Sequence, residues 1–152
     1  MKNLFKLVIM CCIGLCLTAC GSQSPAEPLK IIGGGFMFNY RYAITTYGFV
    51  VRQTKPLPEG SILEATFDLP DSDKKYVLKQ PAQSGKLQYS FESEALHGVK
   101  KDTPYKVQLK LLEANTGKQL ALVERDFKST IDQDTLPVKA PVVGIGYQKA
   151  PE

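Results

Sequence analysis

Thr103-Pro104-Tyr105-Lys106-Val107-Gln108-Leu109-Lys110-Leu111-Leu112 carries the plainest structural signal in this 152-residue chain. Tyr105, Val107, Leu109 and Leu111 alternate with Lys106, Gln108 and Lys110. Successive side chains of a strand point to opposite faces, so this pattern predicts a strand with one buried and one wet face. Ala114-Asn115-Thr116-Gly117 follows with hairpin-turn composition. Lys118 to Lys128 then returns, carrying Leu120, Leu122 or Val123, and Phe127. Its uneven register predicts a bulge near Val123.

The same period appears upstream. Leu63, Ala65, Phe67 and Leu69 alternate with Glu64, Thr66 and Asp68, and Leu87, Tyr89 and Phe91 with Gln88, Ser90 and Glu92. Lys75 to Gln80 reads as a short strand between turns at Pro70–Asp73 and Pro81–Gly85. Phe36, Phe38, Tyr40, Tyr42 and Ile44 share one side of a predicted strand over Phe36–Ile44, and Tyr47–Arg52 forms a second run after Thr45-Thr46. No stretch of ten residues has helical periodicity. Six to eight short strands spaced by turns predict an all-β, antiparallel sandwich or barrel.

Leu96 to Leu109 narrows the choice. A leucine closes one strand; Thr103-Pro104-Tyr105 opens the next; Val107 and Leu109 continue it. This segment resembles the corner before the sixth strand of fibronectin type III and other immunoglobulin-like domains. The resemblance implies an immunoglobulin-like β-sandwich, with the Tyr105 hydroxyl bonded back to the corner backbone.

The N-terminus reads differently. Lys2 and Lys6 precede an apolar run from Leu7 to Leu17, too short to span a bilayer as a helix. Small residues then lead into Cys20. Leu17-Thr18-Ala19-Cys20 resembles the lipobox of bacterial lipoproteins. That resemblance implies cleavage of a signal peptide over 1–19, acylation of Cys20, and a membrane contact through lipid. Gly21 in place of an aspartate then implies the outer membrane, on its periplasmic side. Residues 20–29 read as the lipidated cysteine and a flexible tether, and 30–152 as one β-sandwich domain. Val142–Tyr147 is apolar and glycine-rich like Ile31–Phe36, so 131–152 is expected to add a C-terminal strand that pairs there.

Composition excludes several kinds of chemistry. Cys11, Cys12, Cys16 and Cys20 all lie in the signal or at its boundary, leaving the mature domain no thiol for a disulfide, zinc or nucleophile. The formal net charge of +4 owes half to Lys2 and Lys6, which argues against nucleic acid as a partner. With no tryptophan, the tyrosines and phenylalanines must fill the core. His97 stands alone in a predicted loop, and no catalytic residue, cofactor site or metal site is expected. Asp68, Asp71 and Asp73 lack calcium-loop spacing, and Gly33-Gly34-Gly35 lacks the Gly-Lys-Ser/Thr ending of a phosphate loop, so a bulge or a closely packed strand is expected there.

Two functions remain open. The first is a non-enzymatic envelope lipoprotein, an accessory or adaptor that binds another envelope protein. Its candidate contacts are Gly33, Gly34, Gly35, Tyr40, Tyr42 and Tyr147, with Lys106 and Lys110 as a small basic patch. The alternative is a lipoprotein that binds or acts on glycan or peptidoglycan. It needs Tyr40, Tyr42 and Tyr47 to line a groove with Glu124 or Asp126.

Overall fold

The computed structural model describes residues 27–146 and 148–150. The signal segment, Cys20, most of the tether and Tyr147 lie outside these residues. The chain runs β1 (Leu29–Asn39), β2 (Ile44–Gln53), β3 (Ile62–Asp68), β4 (Lys75–Pro81), β5 (Gln88–Glu92), β6 (Pro104–Leu112) and β7 (Gln119–Lys128). A short 3-10 turn at Gln133–Thr135 follows, then β8 (Val142–Val143) and β9 (Gln148–Lys149).

Strands β1-β2-β5 form one sheet and β4-β3-β6-β7 the other, all neighbours antiparallel. The chain crosses between the sheets after β2, β4 and β5. This is an immunoglobulin-like β-sandwich, with the core between two facing layers. Tyr105, Val107, Leu109 and Leu111 are all buried, as the β6 alternation predicts. Leu63, Ala65 and Phe67 from β3, and Tyr89 and Phe91 from β5, meet them in the core. Leu29 is already buried, so the domain begins inside the expected tether.

Tyr47 sits at the centre of this core and is fully buried. Its ring stacks on Phe36 at 4.8 Å and meets Phe67 edge-on at 5.1 Å. Its hydroxyl donates to the Asp68 carbonyl at 2.6 Å, linking β2 to the opposite sheet. Burial of this hydroxyl pushes its pKa far above the ordinary tyrosine value.

Three expectations change. The Phe36–Ile44 strand is two strands and a turn: β1 ends at Asn39, and Tyr40–Ala43 reverses the chain. Ala43 turns with a φ of 53°, a left-handed conformation that glycine would ordinarily signal. Thr45 and Thr46 are no break but lie inside β2, with Thr45 buried. The β6–β7 irregularity falls where Leu111 faces Ala121 and Leu112 faces Gln119, leaving Leu120 as the extra residue rather than one near Val123.

The third change concerns the C-terminal arm. Val142–Val143 pairs with Gln148–Lys149 as a two-stranded sheet of its own, not with β1. The arm is pinned to the β5–β6 corner instead. The Gln133 amide donates to the Leu96 carbonyl at 2.6 Å, and its oxygen accepts from Val99 N–H at 3.1 Å. Asp132 accepts from Lys101 N–H at 2.9 Å. Leu136 is buried beneath the arm.

The corner carries the expected tyrosine hydrogen bond. Lys100 N–H donates to the Tyr105 hydroxyl at 2.9 Å. Tyr105→Phe removes the acceptor and leaves a partly buried N–H without it. Urea unfolding should show a loss of about 1–3 kcal/mol, with an unchanged m-value.

Candidate functional site

The candidate residues do not converge on one site. Gly33, Gly34 and Gly35 lie together on β1, yet the pleat separates them. Gly34 faces the core, where a Cβ would lie 2.5 Å from the Gly48 carbonyl oxygen and 2.5 Å from Phe127 Cζ. Its lack of a side chain lets β1 approach β7 across the two sheets. Gly33 and Gly35 face outward into open space. The register slips between Ile31 and Gly33, so the predicted bulge and the predicted close packing both occur here.

Gly35 pairs with Gly48, and the two leave the outer face of the three-stranded sheet without side chains at that point. The result is an open groove of about 480 Å³ beside Met37, Val50 and Glu92. Met37 is half exposed on its rim. Glu92 is held in place there by the Thr46 hydroxyl, which donates to it at 2.7 Å. Three consecutive glycines carry no local signal of the pleat, so only the pairing of β1 with β2 separates their roles.

Tyr40 and Tyr42 lie on the β1–β2 turn, 50% and 43% exposed. Asn39 Oδ1 accepts from Tyr42 N–H at 3.2 Å, fixing the turn. The Arg41 guanidinium lies 4.7 Å from the Tyr42 ring centroid and donates to the Gly144 carbonyl at 3.1 Å. Tyr47, by contrast, is core and lines no groove. Glu124 and Asp126 belong to β7, on the outer face of the other sheet, where Glu124 accepts from Gln108. The groove of three tyrosines with a β7 carboxylate is therefore not formed.

Lys106 and Lys110 do share the outer face of β6, but they do not form an isolated basic patch. Glu64 on β3 lies between Lys79 on β4, at 2.8 Å, and Lys110, at 3.3 Å. Lys75 pairs with Asp68, and Lys106 stands opposite Asp126. Columns of lysine and carboxylate thus alternate across the sheet, which keeps its long-range field small. Arg125 does not join Glu124 and Asp126. It takes the opposite face and lies 5.2 Å from the Phe127 ring centroid.

His97 is exposed in the corner. It borders a shallow cleft with Ala43, Lys100, Leu136 and Val138. Among the described residues, no group of three or more His, Cys, Asp or Glu is placed to hold a metal ion. The sequence also missed the arm's anchoring by Gln133, whose partners lie more than thirty positions away.

No protein-family model matches this sequence, and no curated protein matches it.

Two outcomes follow from this geometry. Gly34→Ala should cost about 1–3 kcal/mol by overpacking against Phe127 and the Gly48 carbonyl, whereas Gly35→Ala meets nothing and should raise the unfolding free energy by about 0.5–1 kcal/mol. The Lys79 and Lys110 ammonium groups hold the Glu64 carboxyl below its ordinary value of 4.5. The folded state therefore binds this proton less readily than the unfolded chain. The stabilisation is present above the unfolded value and is lost as pH falls through the folded one. In an acid titration of stability, Glu64→Gln should remove that part of the decline.

Proposed function

We propose that this chain is a lipid-anchored accessory protein of a bacterial cell envelope, working by contact with another envelope protein and not by catalysis. The observation that carries the reading is the Leu17–Cys20 lipobox, set only a few residues before the first core side chain, Leu29. A tether this short keeps the sandwich close to the membrane that holds Cys20. The absence of aspartate at position 21 favours the outer membrane, with the domain on the periplasmic side.

The adaptor role draws support from the outer face of β1-β2-β5. Outward positions of an antiparallel sheet ordinarily carry polar side chains that hold water. Here Gly33 and Gly35 leave the main chain open, with Gly48, Met37 and Val50 alongside. Such a face accepts a partner's side chains closely. The Leu96–Leu109 corner also favours kinship with fibronectin type III-like domains, although the tryptophan usual in their cores has no counterpart here.

The test has two arms. Metabolic labelling with a clickable palmitate analogue should mark the wild-type chain and leave Cys20→Ser unlabelled; an equally labelled variant would overturn the anchor. A photo-crosslinking residue at Met37 should give one discrete protein adduct in intact cells, and the same residue at Val77, on the outer face of β4, should not. Equal adducts at both positions, or none at Met37, would overturn the adaptor role.

A further inference from the structure

The end of the sandwich that bears the β1–β2 turn holds the most exposed apolar side chains described in the molecule. Val138 is 100% exposed and Ile145 is 98% exposed. Tyr40, Tyr42 and Val143 are each exposed by two-fifths or more. They belong to one surface. Arg41 holds the Gly144 carbonyl, next to Ile145, and Tyr40 Oη lies 3.5 Å from Thr135 Oγ1. Val138 borders the same cleft as Ala43.

Two segments make this surface: residues 39–44 of the turn, and residues 136–146 with 148–150 of the arm. Neither contains an aspartate or glutamate, and together they carry Arg41, Lys139 and Lys149. A solvated loop pair on a chain with 15 acidic residues would ordinarily include some of them. Asp134 and Lys100 border the same cleft as Val138, so the combination is apolar tips and tyrosines with a local excess of cations.

Shape decides between partners. A side chain that is fully exposed projects clear of its own fold, so the tips are convex. A protein surface covers such tips only with a matching crevice for each. A bilayer interface takes them without shape complementarity: the apolar tip enters the acyl boundary, tyrosine rings lie at headgroup level, and lysine and arginine meet anionic headgroups. The tips are also held in place. Asn39 fixes the turn, Arg41 ties turn to arm, and Gln133 ties arm to corner. Little ordering is then left for binding to impose.

We infer that this end of the domain docks onto an anionic phospholipid surface, with Val138 and Ile145 as the inserting side chains. It lies at the far end of β1 from the tether, since Leu29 pairs with Gln53 at one end and Asn39 with Ile44 at the other. At about 3.3 Å per residue, β1 spans roughly 35 Å. The docking end is thus a second membrane contact, distinct from the lipid anchor and from the groove beside Met37.

The test uses the chain from Gly21 onward. Among the described residues every buried core residue lies at Leu29 or beyond, so this chain retains all of that core. Co-sedimentation with vesicles of phosphatidylcholine and phosphatidylglycerol should show binding that exceeds binding to phosphatidylcholine alone and weakens with added salt. The double variant Val138→Asp, Ile145→Asp should bind the anionic vesicles more weakly by on the order of 100-fold, with an unchanged thermal midpoint. Wild-type binding no stronger to anionic than to neutral vesicles would overturn the inference. So would full binding by the double variant, or no binding to either vesicle. Neither acylation of Cys20 nor crosslinking from Met37 depends on these two side chains, so failure here is separable from failure of the adaptor reading.

Discussion

One hydrogen bond and one ring hold the two sheets in relation to each other. Tyr47 rises from β2 into the centre of the core and gives its proton to the main-chain carbonyl of Asp68, at the end of β3. A buried hydroxyl without a partner costs about 1–3 kcal/mol, so the bond removes that penalty and ties β2 to the end of β3. The ring then organises its neighbours. Phe36 stacks on it, Phe67 meets it edge-on, and Tyr105 tilts against it at 6.3 Å. These four rings come from β1, β2, β3 and β6. Aromatic pairs at such separations add stabilisation beyond the area they bury. In a domain with no disulfide and no tryptophan, this cluster does the work that either would otherwise share.

Tyr105 connects that centre to the molecule's end. Its ring belongs to the aromatic cluster, while its hydroxyl accepts from Lys100 N–H in the corner. The same corner receives Gln133 and Asp132 from the C-terminal arm. Core packing thus sets the corner, the corner sets the arm, and the arm carries Val138 and Ile145 into solvent. A side chain can be fully exposed and still be precisely placed when its backbone is tied down in this way.

What the sequence disclosed follows from the range of each interaction. Strands β3 to β6 were legible because alternation of apolar and polar residues is local and only a half-buried strand satisfies it. The corner was legible through its resemblance to the fibronectin type III corner, and Tyr105 makes the bond that resemblance implies. The β1–β2 turn was hidden because Tyr40 and Tyr42 continue the alternation straight through it, and because Ala43 takes a left-handed conformation without being glycine. The arm was misassigned to β1 because apolar, glycine-rich segments resemble each other. Gln133, a residue with no local pattern, decides where the arm goes. The basic character of Lys106 and Lys110 was visible, but their acidic neighbours were not. Glu64 lies 46 positions from Lys110 and meets it only through strand pairing.

The Gly33–Gly35 run shows why candidate residues had to be sorted one at a time. Three identical residues in a row face outward, inward and outward, and their chemistry differs accordingly. Gly34 is required by the fold, since Phe127 occupies the space a side chain would take. Gly35 is not required by the fold, since nothing stands within 4 Å of the position its Cβ would take. A side chain there would pack against nothing and clash with nothing. Glycine in a strand costs about 0.5–1 kcal/mol relative to alanine, so a position that gains nothing in packing from glycine bears that cost for another reason. Under the adaptor role proposed above, close approach of a partner to the main chain would supply such a reason at Gly35, while at the paired Gly48 the fold itself needs the space beside the Phe91 carbonyl. A single methyl group at Gly35 therefore alters the outer face of the three-stranded sheet without touching the core, whereas the same methyl at Gly34 strikes Phe127.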